Sequence, residues 1–274
     1  MNPVQQINKP NNDFQNVKDK ILSINLRIDG LSFVILEANS IIKAEYYEWQ
    51  TKNWDYAVTQ FNEVFSRHDF FKKDFKKTFI ILKSKECTLI PKSLFDKTKA
   101  GTILETLYGF EKKDFLPYAL SLKKADIVMA YALNTKLESL IKTIFPKAIL
   151  LHQSALFIDE SLDNTNIKNK LYLDISNQSF EVIGIKQAQI IAHNHFEYTS
   201  VDEFMFFLLS FVKQNNLSLN TLLLYISGMI AMESKIGKNL EKYFQNIEHL
   251  SKSTANNKEA MFEELKKYTL IANS

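Results

Sequence analysis

Leu22-Ser23-Ile24-Asn25-Leu26-Arg27-Ile28-Asp29-Gly30-Leu31-Ser32-Phe33-Val34-Ile35-Leu36-Glu37-Ala38 is the stretch on which the fold turns. Leu22, Ile24, Leu26 and Ile28 alternate with other residues, which is the period of a strand. Asp29-Gly30 is a two-residue hairpin signal, and Leu31 to Ala38 returns as the second strand. Ile41 to Trp49 supplies a third strand, so the segment predicts an antiparallel meander. The arrangement recurs without a gap at an offset of 149. Leu22 meets Leu171, Leu26 meets Ile175, Leu31 meets Phe180, Ile41-Ile42 meets Ile190-Ile191, Tyr47 meets Phe196, and Trp49 meets Tyr198.

The correspondence continues beyond the meander. Ala57, Phe61, Val64, Phe65 and His68 keep helical spacing in the first half, as do Phe204, Leu208, Phe211 and Val212 in the second. Ser200-Val201-Asp202-Glu203 has the form of a capping box. Thr78 to Leu82 and Leu222 to Ser227 read as strands buried on both faces. A further helix carries Ile236, Leu240, Tyr243 and Phe244, so the common unit is three strands, helix, strand, helix. The first half holds more: a strand ending at Pro91, a helix from Lys92 to Leu107, a loop from Gly109 to Pro117, a strand Asp126 to Ala132, a helix Asn134 to Phe145 and a strand Ala148 to Leu151. The reading expects a disordered segment over 1–14, a first half over 15–162 and a second over 163–274. The polar stretch Asp159 to Lys170, with Asp163-Asn164-Thr165-Asn166, is the expected hinge, Ser251 to Asn257 a loop, and Lys258 to Tyr268 a short helix.

Composition narrows the function classes. The chain has 274 residues, 46% of them hydrophobic and 24% charged, which excludes disordered, collagen-like and coiled-coil classes. Lys and Arg total 34 against 31 Asp and Glu, so the net charge of +3 does not call for a nucleic-acid partner. A single cysteine excludes a disulfide scaffold and fits a reducing, cytoplasmic setting. No apolar run reaches the roughly 18 residues of a membrane span. Only six glycines occur, none in a G-x-G pair, so Walker and dinucleotide fingerprints are missing.

By this topology the chain resembles the actin-like ATPase superfamily, in which two ribonuclease-H-like βββαβα halves face a central cleft. Leu22 to Trp49, Leu89-Ile90-Pro91-Lys92-Ser93-Leu94-Phe95 and Tyr172 to Gly228 carry the resemblance. The chain is similar to the branch of actin-like proteins of type IV pilus and type II secretion assembly, and closer still to a bacterial family of unknown function with this fold. The resemblance implies an α/β fold and, in each half, an Asp-x-Gly turn that approaches the phosphates and metal of Mg-ATP. The matching places here read Asn25-Leu26-Arg27 and Asp174-Ile175-Ser176, so one acid is kept and neither glycine. Ser227-Gly228 matches the adenosine-side motif with one glycine of the pair. The implied ligand-binding residues are therefore Asn25, Asp174, Ser227 and Gly228, with no catalytic set. The expectation is a non-catalytic scaffold that needs no cofactor and works with a protein partner or as a homodimer; an atypical Mg-ATP enzyme is the alternative.

Other residues have plainer readings. His193, His195 and Glu197 share a strand face, as a metal site would use, and read as a polar sheet face. Phe71-Lys72-Lys73-Asp74-Phe75-Lys76-Lys77 mixes basic and aromatic residues and reads as a solvated helix end. Cys87 reads as a small apolar residue. The aromatic helix Val201 to Val212 reads as buried between sheet and helix.

Overall fold

The meander begun at Leu22 is present in the computed structural model, with its hairpin shifted by one residue. The structure describes residues 2–8, 14, 16–51, 53–111, 113–162, 169–176, 178–228, 230–250 and 260–274. Along the chain come β1 (Gln5–Asn8), β2 (Ile21–Arg27), β3 (Gly30–Glu37), β4 (Ser40–Glu48), α1 (Trp54–Arg67), β5 (Lys77–Lys83), β6 (Cys87–Pro91), α2 (Ala100–Tyr108), β7 (Phe115–Ser121), β8 (Ile127–Asn134), α3 (Thr135–Ile144), β9 (Ile149–His152) and α4 (Gln153–Ser161). Then follow β10 (Lys170–Ile175), β11 (Ser179–Lys186), β12 (Gln189–Glu197), α5 (Val201–Gln214), β13 (Leu223–Gly228), α6 (Lys235–Tyr243), β14 (Asn246–His249) and α7 (Ala260–Asn273). The first hairpin loop is Ile28-Asp29, and Gly30 opens β3. A Cβ at Gly30 would lie 2.6 Å from the Tyr47 carbonyl oxygen and 2.5 Å from Arg27 Nη2, so close approach explains this glycine.

Two compact units result. Residues 1–157 and 265–274 form one, and 158–264 the other, so the boundaries fall inside α4 and α7 rather than at 163. The first unit contains a six-stranded sheet ordered β1-β4-β3-β2-β5-β9 and a three-stranded sheet ordered β6-β8-β7; the second contains a five-stranded sheet ordered β12-β11-β10-β13-β14. Apart from β1, the two larger sheets have the same order. They also share irregularities. A register shift between Ile35 and Leu36 recurs between Gly184 and Ile185. Positive φ at Ala38 and Asn39 (45° and 63°) recurs at Gln187 and Ala188 (52° and 61°). Each pair is separated by 149, the offset of the sequence match.

Sequence explains most of these elements. Asn53 caps α1 by accepting from the backbone N–H groups of Asp55 and Tyr56, and Ala57, Phe61, Val64 and Phe65 are its buried residues. Ser200 caps α5 by accepting from Glu203 N at 3.1 Å, while Glu203 accepts from Thr199 N at 2.7 Å. Phe204, Leu208, Phe211 and Val212 are buried, whereas Phe206 is 66% exposed, so α5 is not enclosed all round.

Several expectations need correction. Residues 1–14 are not without structure, because Gln5–Asn8 pairs antiparallel with Lys43–Tyr46. The helix expected over Lys92–Leu107 is a 3₁₀ turn at Lys92–Leu94 followed by α2. Asp96 Oδ1 accepts from Thr98 N at 2.9 Å and from Thr98 Oγ1 at 2.6 Å, and this local turn interrupts helical bonding. The loop expected to reach Pro117 ends earlier, because Pro117 sits in edge strand β7, where a missing N–H is tolerated. The expected hinge residues Asp163-Asn164-Thr165-Asn166, the loop Ser251 to Asn257, and residues 9–13 of the N-terminal segment lie outside the described residues. Among the described residues, no helix is long and apolar enough to cross a membrane.

A buried ionic cluster joins β4 to the end of α1. Lys43 Nζ lies 2.6 Å from Glu45 Oε1, His68 Nε2 lies 2.9 Å from Glu45 Oε2, and the Tyr47 hydroxyl donates to Glu45. Burial alone would raise the Glu45 carboxyl, but hydrogen bonds from His68, Lys43 and Tyr47 hold it at about 2. A depressed acid stabilises the fold fully above its ordinary value near 4.5 and loses that contribution as pH falls through the folded value. The unfolding free energy measured from pH 4.5 down to pH 2 should therefore fall by on the order of 3 kcal/mol from this group, at about 1.4 kcal/mol per unit. Glu45→Gln should be less stable at neutral pH and flatter across that window; an unchanged acid slope would show that Glu45 does not cause it.

Candidate functional site

Parallel strands place their carboxyl ends at one edge of a sheet, where α/β folds bind ligands. In the second unit, β10 and β13 run parallel, with Asp174 opposite Ser227 and Ile175 opposite Gly228. Three of the four sequence-derived candidates therefore meet. Ser227 Oγ donates to Asp174 Oδ1 at 3.2 Å and lies 3.4 Å from the Leu173 carbonyl oxygen. Asp174 is only 2% exposed. Gly228 has φ +87°, and a Cβ there would fall 2.1 Å from the Ile175 carbonyl oxygen and 2.7 Å from Asp174 Oδ1. The glycine is needed for a close chain crossing over Asp174. Met229, beside it, lies outside the described residues.

The fourth candidate, Asn25, lies at the matching place of the first unit, on β2 opposite Ile81 of β5. Its Nδ2 donates to Gln153 Oε1 at 2.9 Å, and both residues are about 5% exposed. Next to Gln153, the fully buried His152 accepts at Nδ1 from Ser154 N at 3.3 Å and has Nε2 3.3 Å from Ser84 Oγ. Tyr131 packs on its ring with centroids 5.1 Å apart. Sequence reading missed Ser84, His152 and Gln153. The available signal was a polar His-Gln-Ser run directly after the apolar strand ending at Leu151.

Arg27 stands where the superfamily turn has glycine. Its Nε lies 3.0 Å from Asp29 Oδ1, its Nη2 donates to the Tyr46 hydroxyl at 3.0 Å, and its guanidinium lies 5.2 Å from the Tyr46 ring centroid. Burial opposes the charge, but Tyr46 and Asp29 raise the Arg27 pKa overall. The matching turn of the second unit has Ser176, whose backbone N–H donates to Ser179 O at 2.8 Å.

The remaining singled-out residues do not join either edge. His193 Nε2 lies 2.6 Å from Glu181 Oε1, with both side chains nearly buried, so this part of the polar sheet face is hydrogen-bonded internally. Among the described residues, no three His, Cys, Asp or Glu side chains converge as a metal site requires. Cys87 is buried. Lys72, Lys73, Lys76 and Lys77 line one open groove with Phe71 and Lys147 at the ends of α1 and α3.

The chain matches, over residues 9–247, the profile of a family described as Protein of unknown function (DUF3822). Among curated proteins none matches the sequence. A solved structure from Bacteroides thetaiotaomicron, a protein with actin-like ATPase fold and unknown function, aligns with a TM-score of 0.79 and 21% identity, covering 92% of this chain and 98% of that one. This likeness shows that the chain has an actin-like ATPase fold. The PilM–PilN type IV pilus biogenesis complex aligns with a TM-score of 0.49 and 13% identity, covering 92% and 95% of the chains. The ethanolamine utilization protein EutJ from Carboxydothermus hydrogenoformans aligns at 0.44 and 8%, covering 90% and 88%.

The crossing at Gly228 sets a measurable cost. Gly228→Ala should destabilise the protein by at least about 2 kcal/mol in urea unfolding, because left-handed geometry and two close backbone contacts add. Ser227→Ala, which removes one bond to a buried carboxylate, should cost about 1 to 2 kcal/mol. An unchanged midpoint for Gly228→Ala would show that the crossing relaxes freely.

Proposed function

The chain belongs to this family of unknown function, and from that premise we propose that it is a non-catalytic, cytoplasmic actin-like scaffold or protein-interaction module whose nucleotide-binding motifs are degenerate. The observation that carries this reading is the engagement of Arg27. In a nucleotide-binding turn, glycine lets backbone N–H groups reach a phosphate. Here a guanidinium fixed between Asp29 and Tyr46 occupies the turn and lies against Gly30.

The donor set does not fit Mg-ATP well. Mg needs oxygen ligands and retained waters in open octahedral geometry. Asn25 offers a neutral amide oriented by its Nδ2 bond to Gln153 in place of a carboxylate, and Asp174 is buried beside Gly228 with Ser227 on one oxygen. The shared sheet order, register shifts and left-handed turns support an internal duplication whose two turns diverged separately. A scaffold acts through a protein partner or a second copy of itself.

One observation favours the alternative, an atypical Mg-ATP-binding ATPase or phosphotransferase: Asp174, Ser227 and Gly228 still meet at the carboxyl edge of two parallel strands. Thermal unfolding with and without millimolar Mg-ATP separates the two. A ligand at about 100 times its dissociation constant stabilises by roughly 2.7 kcal/mol, which is several degrees for a protein of this size. The scaffold reading expects no shift and no ATP turnover; a shift that vanishes in Asp174→Ala would overturn it.

A further inference from the structure

The last turn of α1, residues 71–78 leading into β5, and residues 143–148 between α3 and β9 line an open groove of about 630 Å³. All of these residues belong to the first unit. The groove has an apolar floor, where the rings of Phe65, Phe71 and Phe145 pack edge to face with centroids 5.1 to 5.9 Å apart. Half-buried Phe75 and exposed Pro146 add apolar surface that a ligand can reach. The rim is basic. Five lysines line it, Lys72, Lys73, Lys76, Lys77 and Lys147, against a single carboxylate, Asp74. The whole chain carries a net charge of only +3, so the remainder is close to neutral and the groove is where positive charge gathers.

Helix dipoles do not account for these lysines, because that effect is confined to the last turn of a helix. The cations in the last turns of α1 and α3 are Arg67 and Lys142, and neither lines the groove. Three of the five lysines are engaged: Lys147 Nζ lies 3.0 Å from Asp74 Oδ1, Lys72 Nζ lies 3.6 Å from Asp69 Oδ1, and Lys73 donates to the Phe14 carbonyl at 2.9 Å. Lys76 and Lys77 are exposed, and no carboxylate among the described residues pairs with either. The carboxyl ends of α1 and α3 also face the groove, and the last carbonyl oxygens of a helix have no intrahelical donor. A fitting ligand therefore brings negative charge for the lysines, apolar bulk for Phe75 and Pro146, and N–H donors for the carbonyls. An acidic peptide brings all three. Nucleic acid brings the charge, but successive bases stack on a run of exposed rings, and three of the four phenylalanines here are buried. We propose that this groove docks an acidic segment of a protein partner, its carboxylates on Lys76 and Lys77 and an apolar side chain against Phe75 and Pro146. The inference gives the partner's chemistry for the interaction-module reading and rests on that reading.

A fluorescent peptide of glutamates with one phenylalanine at its centre, titrated with the full chain by anisotropy, should bind saturably and more weakly as salt is raised. Lys76→Glu combined with Lys77→Glu should weaken binding about tenfold or more, with an unchanged thermal unfolding midpoint because both side chains are exposed. Lys76→Gln with Lys77→Gln, which removes the charges without reversing them, should weaken it by a smaller factor. Replacing the phenylalanine of the peptide by serine should cost about tenfold. No saturable binding, binding that survives both pairs of substitutions, or binding indifferent to the phenylalanine would each overturn the proposal. A single-stranded oligonucleotide that binds more tightly than the peptide and depends on the same lysines would assign the groove to nucleic acid and overturn it equally. The outcome is separable from the nucleotide test. A peptide that does not bind, beside a flat response to Mg-ATP, removes the groove and leaves the scaffold reading; stabilisation by Mg-ATP that is lost in Asp174→Ala removes the scaffold reading whatever the peptide does.

Discussion

Parallel pairing of β2 with β5, and of β10 with β13, is the constraint on which the rest of the architecture depends. Two parallel strands cannot be joined by a tight turn, so the chain must leave the sheet edge and return. In each unit it does so by laying down two further antiparallel strands and a helix before the parallel strand begins. α1 and α5 fill that role, and their apolar stripes are required because both faces of the central strands are buried. Phe33, Phe65, Phe71 and Phe145 meet edge to face in the first unit, and Phe180, Phe196, Phe204 and Tyr198 cluster in the second. The same constraint sends four carboxyl ends to sheet edges, which is where the polar candidates lie.

The repeated unit was legible because it rests on period and spacing. Alternation in β2 and β10, helical spacing in α1 and α5, and the Asp29-Gly30 turn are local signals that tertiary packing reinforces. The elements missed are those whose identity depends on a neighbour. β1 reads as a polar Gln-Gln-Ile-Asn segment, and only β4 makes it a strand. β14 is equally short and polar, and its order comes from pairing with β13. Pro117 hid an edge strand, and the Asp96–Thr98 turn cut a helix that propensity alone would have continued.

The candidate site was legible to a different depth. Asp174, Ser227 and Gly228 were found because the resemblance to the actin-like superfamily places its turn and its adenosine-side motif at those positions. The state of those groups was not visible. Whether a carboxylate is open to ligand or closed in by neighbouring backbone depends on φ at Gly228 and on atoms 53 residues away in sequence. Asn25 gave the same problem: its partner Gln153 lies 128 positions later. His152 belongs to no motif in the chain, and its bonds to Ser84 and Ser154 exist only in the fold.

A glycine turn that receives phosphate leaves backbone donors unpaired until ligand arrives, which is a standing cost in the unliganded protein. In the first unit, the Arg27 side chain at the corresponding turn donates to Asp29 and to the Tyr46 hydroxyl. In the second, the Ser176 N–H is committed to Ser179. The two units, alike in strand order and irregularity, differ at one margin: β1 adds a further strand beside β4 in the first, and among the described residues β12 is the outermost strand of the second.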